Sequence, residues 1–163
     1  PAAWRTRSID FGRGPRTSVT IPWGDVATAW HSTGIPDIEV YAQVPRALRL
    51  GMVASRYLGW LLRRRWVRDF QLRRVRAEPA GPSATELSTG RCAVWGRVEH
   101  DDGRHAESLL HGPNGYQLTA LAALAAVRKV LAGEAPPGFQ TPSRVYGPDF
   151  VLGLQGITRE DIS

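Results

Sequence analysis

The most constraining feature of this 163-residue chain is a stretch that is apolar on almost every side. Residues 116–132 read YQLTALAALAAVRKVLA, and Gly133 follows directly. This pattern predicts an α-helix with Arg128 and Lys129 in its last turn, where cations complement the helix dipole, and with glycine at its end. A helix that is hydrophobic all round is normally buried. We therefore expect this helix to be central and to pack on a sheet.

The residues before that helix predict the sheet. From residue 92 to residue 99 apolar side chains recur at every second position, which is typical of a strand. Residues 101–103 (Asp-Asp-Gly) form a turn, and residues 104–111 predict a second, antiparallel strand. A strong turn signal at residues 112–115 (Gly-Pro-Asn-Gly) then leads into the helix. The two strands should form a hairpin.

The N-terminal part of the chain predicts a second group of strands. Residues 5–11 and 16–22 are expected to form another hairpin. A short helix over residues 26–33 should follow, with Asp25 as its N-cap. Alternating apolar residues between 38 and 42 predict a further strand. The unit is therefore strand, short helix, strand.

Three polar residues, His31, Ser32 and Thr33, occupy the last turn of that short helix, just before Gly34. Donors and acceptors at a helix end can face a ligand, so these residues are candidates for one wall of a substrate pocket. The alternative is that their side chains bond the backbone carbonyls of the helix terminus. His31 could also donate a proton near neutral pH. Asp25 fits a cap better than a base.

A basic helical segment lies in the middle of the chain. Pro45 begins a long helical pattern that continues, with a bend, to about residue 75. Its second half is the most basic stretch of the chain, and the candidates for a basic surface are Arg63, Arg64, Arg68 and Arg73. An ordinary solvated helix face explains such a charge pattern. An anionic lipid surface is the second interpretation, because Trp60 and Trp66 lie beside the arginines. The sequence disfavours a nucleic-acid partner, because it carries no nucleic-acid-binding motif.

Composition limits the classes of function. The net charge is +6, and Lys129 is the one lysine among 21 basic residues. A single cysteine, Cys92, excludes an internal disulfide framework and suits a reducing compartment. The sequence has neither an apolar run of roughly 20 residues for a membrane span nor a signal peptide. We expect a cytoplasmic protein that could lie peripherally at a membrane.

The sequence contains no complete catalytic or metal-binding motif. It lacks the glycine-rich dinucleotide fingerprint, the P-loop and the serine-hydrolase elbow. His100, His105 and His111 match no compact metal-ligand spacing, so neither a metal nor a catalytic residue is predicted. The chain also begins without methionine, as a piece cut from a longer protein would. Thr141 is predicted to cap a short helix that starts at Pro142.

Three segments carry a resemblance to a known family. They are GPRTSVTIPWGDVATAWHSTGIPDIEVY (14–41), NGYQLTALAALAAV (114–127) and GFQTPSRVYGPDFVL (138–152). Together they resemble the C-terminal region of saccharopine dehydrogenase-like proteins, in the short branch that includes trans-acting enoyl reductases. The resemblance runs from about residue 5 to residue 157 and is weakest in the arginine-rich middle. It does not specify a substrate.

The resemblance implies a two-part protein. In such proteins an N-terminal Rossmann domain binds NAD(P), while a C-terminal mixed-sheet domain helps to form the substrate site and often mediates homodimers. This chain corresponds to the second part and lacks the first. We expect one domain over residues 1–163 that binds no cofactor by itself. The alternative is a non-enzymatic module that docks on an anionic lipid surface or an acidic partner through the helix at residues 63–76.

The fold class that follows is α+β. We expect a mixed, largely antiparallel sheet of about five or six strands, with the helix at residues 116–132 packed on one face. This arrangement resembles the C-terminal domains of two-domain dehydrogenases.

Overall fold

The structure, a computed structural model, describes residues 3–62, 64–77 and 81–162. The strands in these ranges are β1 (Thr6–Asp10), β2 (Pro15–Thr20), β3 (Tyr41–Gln43), β4 (Arg91–Glu99), β5 (His105–Pro113) and β6 (Thr158–Asp161). The helices are α1 (Asp25–Thr33), α2 (Arg46–Leu62), α3 (Arg65–Ala77), α4 (Ala84–Thr89), α5 (Gly115–Leu131) and α6 (Pro142–Tyr146), followed by a 3₁₀ turn at Phe150–Gly153. The α+β fold class is confirmed.

The strands form two sheets where we expected one. The N-terminal sheet has the order β1-β2-β3 and the C-terminal sheet the order β4-β5-β6. Every strand pair is antiparallel, so the expected mixed sheet is corrected to two purely antiparallel ones among the described residues. For β1–β2 and β4–β5 the physical reason is connectivity, because a short turn can join only antiparallel neighbours. Longer connections that contain helices join β2 to β3 and β5 to β6. Helices α2 to α4 separate the two groups.

The two sheets meet at the turn between β1 and β2. Gly12 lies so close to β5 that a Cβ atom there would be 3.3 Å from Leu109 Cδ2 and 3.2 Å from His111 Cε1. Near this junction the Arg7 guanidinium lies 4.9 Å from the centre of the Trp95 ring on β4. Leu109 is 4% exposed, and Ile9, two residues from Arg7 on β1, is 3% exposed. This junction contains much of the small core.

The short helix α1 forms as predicted, but its N-cap differs. Gly24 occupies the cap position, and no side chain bonds the first turn there. Asp25 is the first helical residue, so the prediction of Asp25 as N-cap is wrong, although a carboxylate in the first turn still complements the helix dipole. Gly34 ends the helix with a φ of 71°, and its N–H donates to the Trp30 carbonyl at 2.8 Å. A left-handed glycine at that place is the expected stop.

The long basic helix is bent, as predicted. Leu58 has φ −101° and ψ 15°, which interrupts the helical geometry inside α2. After α2 the chain resumes helical structure in α3. The next helix, α4, begins with a capping box, in which Ser83 and Glu86 each bond the other's backbone N–H.

Helix α5 is the main departure from expectation. It forms over nearly the predicted residues, yet none of its residues is buried, and Leu124 and Leu131 are 57% and 82% exposed. It approaches β5 through Leu118, whose Cδ2 would be 3.9 Å from a Cβ atom at Gly112. The prediction of a central buried helix is therefore wrong for this chain alone, because the described residues cover α5 only in part. No helix in the described part of the chain has both the length and the apolarity to cross a membrane.

The buried junction at Leu109 should dominate the stability of the chain. We expect Leu109→Ala to lower the free energy of unfolding by about 2–5 kcal/mol, because it leaves a cavity between the two sheets. The matched control is Leu131→Ala, at a position 82% exposed, which should change that free energy by less than about 0.5 kcal/mol. Urea unfolding followed by circular dichroism measures both. Equal losses in the two variants would contradict the placement of the core.

Candidate functional site

The end of α1 faces the segment at residues 139–144. The His31 ring meets the Phe139 ring edge-on, with 4.9 Å between their centres. His31 Nε2 is 3.0 Å from Arg144 Nη1. A guanidinium can only donate, so in this hydrogen bond His31 Nε2 is the acceptor. In this arrangement Nε2 is not available as a proton donor.

Ser32 links α1 to the residue before α6. Its hydroxyl donates to the Thr28 carbonyl at 2.8 Å and is 2.7 Å from Thr141 Oγ1. Because a hydroxyl has one proton, Thr141 must be the donor in the second bond. Thr141 is 7% exposed and makes no side-chain cap on α6, although it occupies the predicted N-cap position. Its hydroxyl is therefore used to join two distant parts of the chain.

Thr33 is bonded within its own helix end. Its hydroxyl donates to the Ala29 carbonyl at 2.8 Å and accepts from the Ile35 N–H at 3.2 Å. The hydroxyl protons of Ser32 and Thr33 thus go to backbone carbonyls, as the alternative interpretation expects. Of the three predicted pocket residues, His31 and Ser32 therefore face residues 139–144, whereas the Thr33 side chain stays at its own helix end. Their role in a pocket stays a prediction.

An open groove of about 660 Å³ lies close to this helix end. It runs between Ile35 and Pro36 on one side and the tip of the β4–β5 hairpin on the other, from Val98 to Ala106. At the tip, hydrogen bonds from Arg104, through its backbone and side chain, lower the pKa of Asp102. Asp102 itself does not line the groove, but Arg104 does, so the groove has an apolar wall at Ile35 and a charged wall at the hairpin tip. The sequence predicted the hairpin but not the position of Ile35 opposite it.

A second polar cluster lies on the face of the C-terminal sheet that meets β1. Glu107 accepts hydrogen bonds from Trp95 Nε1 at 3.2 Å and from Arg97 Nη1 at 2.7 Å. Burial alone would raise the pKa of Glu107, but these bonds and the Arg97 charge outweigh it, so the pKa lies below its usual value. Arg97 also pairs with Glu99 at 3.0 Å. The cluster holds charge in a fixed place beside Trp95.

This cluster was not predicted from the sequence, although the hairpin register contains the signal for it. In a hairpin, residues that lie directly opposite each other share one face of the sheet. Arg97 lies opposite Glu107, and Trp95 lies opposite Leu109. Counting back from the turn at residues 101–103 would have paired Arg97 with Glu107.

The basic surface is exposed where the structure describes it. Arg64, Arg68 and Arg73 are exposed, whereas Arg63 lies outside the described residues. Arg68 Nε lies 4.0 Å from the Asp69 carboxylate. Arg73 Nε donates to the backbone carbonyl of Asp69 at 3.4 Å. One acid cannot neutralise these arginines, so α3 presents positive charge to solvent.

Neither metal chemistry nor similarity to known proteins adds to this picture. In the described parts of the chain, no three His, Cys, Asp or Glu side chains lie together as metal ligands. No family model, curated protein or solved structure matches this chain. Its function must therefore be inferred from its own residues.

The bond between Ser32 and Thr141 should couple α1 to α6. In a double-mutant cycle of Ser32→Ala and Thr141→Val, we expect a coupling of about 0.5–1.5 kcal/mol in the free energy of unfolding, the net value of one hydrogen bond. Thr33→Val serves as the control, because Thr33 bonds only its own helix end and its effect should add to that of Thr141→Val. Chemical unfolding of the variants measures this. Additive effects of Ser32→Ala and Thr141→Val would show that the bond contributes nothing.

Proposed function

We propose that this chain is the substrate-binding and dimerisation domain of a saccharopine dehydrogenase-like, NAD(P)-dependent oxidoreductase. The Rossmann domain that would bind NAD(P) belongs to a part of the protein outside this chain. The chain alone is then not catalytic. The segments at residues 14–41, 114–127 and 138–152 suggest the family, and the observation that carries the proposal is the amount of surface that the chain leaves uncovered.

The chain exposes far more surface than a self-contained protein of its size. Its accessible surface is 12402 Å² for a mass of 17.9 kDa. A folded monomer of that mass exposes about 8,000 Å², so the excess is about 4,400 Å². Many large apolar side chains contribute to it, including Trp23, Trp30, Tyr57 and Leu131. A domain that packs against another domain explains such a surface.

The size of the excess indicates more than one covering partner. A standard interface removes roughly 800 Å² from each partner, several times less than this excess. A neighbouring nucleotide-binding domain and a second copy of the chain would together account for more of it. This is the arrangement that the family resemblance implies.

In this proposal the end of α1 forms part of the substrate pocket. His31, Ser32 and Thr33 lie there, and the bonds to Arg144 and Thr141 fix the position of the first two. Fixed side chains are what a binding site requires, because ordering them on binding would cost affinity. With Nε2 bonded to Arg144, Nδ1 is the ring nitrogen of His31 that would bond a substrate.

Cofactor binding tests the oxidoreductase proposal. We expect the intact protein, with its N-terminal domain, to bind NADPH or NADH saturably, as measured by energy transfer from tryptophan to the reduced nicotinamide. This chain by itself should show no saturable transfer, because it has no glycine-rich turn to hold the pyrophosphate. Absence of binding to both cofactors by the intact protein would refute the proposal.

The exposure of α3 favours a second candidate function, which is docking on an anionic lipid surface. Trp66 and Phe70 are 66% and 56% exposed and lie four residues apart, on one side of the helix. Arg73 and Arg74 follow one turn later, and the Arg74 guanidinium lies 5.5 Å from the centre of the Phe70 ring. Exposed aromatic rings beside arginines are typical of helices that lie in the membrane interface.

Vesicle binding tests this second function. We expect the chain to bind phosphatidylcholine vesicles that contain phosphatidylserine and not pure phosphatidylcholine vesicles, in a co-sedimentation assay at moderate salt. Arg73→Gln with Arg74→Gln should weaken binding about 30-fold, since each arginine near such a surface contributes about 1 kcal/mol. The matched control is Arg13→Gln with Arg16→Gln, two exposed arginines far from α3 in sequence. Equal weakening by both pairs would point to net charge rather than to α3.

A further inference from the structure

Strand β4 has an open edge over its full length. In the order β4-β5-β6, β4 is an outer strand, and no described residue pairs with its other side. It is nine residues long and contains no proline. Natural proteins usually protect an edge strand of this length, because its unpaired N–H and C=O groups are a template for another strand.

The hairpin register shows which backbone groups point outward. Next to the turn, the His100 N–H donates to the Arg104 carbonyl. Two residues further from the turn on each strand, Val98 lies opposite Ala106. Since hydrogen-bonded pairs alternate along an antiparallel ladder, the even-numbered residues of β4 bond β5. The odd-numbered residues therefore direct their backbone groups to the open edge, and Trp95 is the middle one.

We propose that two copies of this chain pair through β4, antiparallel, with Trp95 on the two-fold axis. This inference deepens the dimerisation part of the proposed function and names the surface that carries it. The product is one continuous sheet of six antiparallel strands, three from each copy. A two-fold interface requires a self-complementary surface, and the sequence of β4 has this property.

Charge complementarity selects this register. With Trp95 on the axis, Arg91 of one copy lies opposite Glu99 of the other at both ends of the pair. This register pairs all nine residues of each strand. A two-fold axis through Arg97 would instead place Arg97 opposite itself, and like charges directly opposite each other are destabilising.

The side chains on the open face also fit this register. Val94 and Val98 are 55% and 51% exposed on the face that is directed away from the N-terminal sheet. In the paired sheet Val94 lies opposite Gly96 of the second copy, and Val98 lies opposite Cys92. Each exposed valine thus meets a smaller residue, and neither is placed against a charge.

A disulfide test follows from the Cys92–Val98 pair. Directly opposite residues of this type are not hydrogen-bonded and lie about 4.5 Å apart between Cα atoms, within the range for a disulfide. We therefore expect Val98→Cys to form a covalent dimer on mild oxidation, seen as a doubled mass on a non-reducing gel. Within one strand, Cys92 cannot bond the thiol introduced at position 98, because six residues of strand span about 20 Å.

Three controls make the crosslink specific. The native chain should not crosslink, since Cys92 then lies opposite valine. Cys92→Ser with Val98→Cys should not crosslink either, because the two residues at position 98 lie far apart in this register. Ala106→Cys places an exposed thiol on β5, directly opposite residue 98. This thiol is one strand further from the second copy, so the Ala106→Cys variant should remain monomeric on the gel. Crosslinking of Ala106→Cys to the same extent as Val98→Cys would overturn the proposed register.

A proline substitution tests the edge without any new thiol. The N–H of Ala93 points outward, so Ala93→Pro spares the bonds to β5 but blocks pairing with a second strand. We expect Ala93→Pro to shift the mass measured by light scattering from two chains to one, while Ala93→Val keeps the dimer. A dimer that survives Ala93→Pro would overturn pairing through β4, and a native chain that is monomeric at all concentrations would overturn dimerisation. Neither result bears on NAD(P) binding by the intact protein. The dimer proposal and the oxidoreductase proposal are therefore tested by different measurements, and either one can fail without the other.

Discussion

The contact between the β1–β2 turn and β5 is the interaction on which the rest of the structure depends. Gly12 has a φ of 82°, and its missing side chain leaves the space that Leu109 and His111 occupy. An L-residue there would be strained by its backbone and crowded by both side chains. This approach places one sheet on the other and buries Leu109. The Arg7–Trp95 contact and the Arg97–Glu107 pair are further interactions of the sheet face on which β1 lies.

The two sheets leave the functional candidates at separate places. The end of α1 is tied to residues 139–144 by the bonds of His31 and Ser32. The basic helix α3 is exposed along nearly all its length. The edge of β4 is open on the far side of the C-terminal hairpin from β6. A substrate, a lipid surface and a second copy could therefore each use a different surface of the chain.

Local signals in the sequence predicted local structure well. The glycine stop at Gly34 and the hairpin around residues 101–103 both form as expected. Each depends on residues within one turn or one hairpin, so the sequence nearby contains the whole cause. Asp25 shows the limit of such signals, because the helix begins one residue earlier than its cap preference indicates. Thr141 shows another, since its hydroxyl bonds Ser32 rather than its own helix. A contact between residues 109 positions apart leaves no local pattern in the sequence.

The error over α5 has a different cause and is informative. A hydrophobic pattern reports that a surface is to be covered, but it does not say which molecule covers it. The sequence predicts a helix buried on all sides, whereas the chain covers only part of α5, near Leu118 and near Lys129, so Leu124 stays 57% exposed. The same reasoning applies to Val94 and Val98 on β4, whose alternation predicts a covered face that the described residues leave open. Local propensity and packing disagree over this much apolar surface, and the proposed pairing with a second copy and a neighbouring domain would resolve the disagreement.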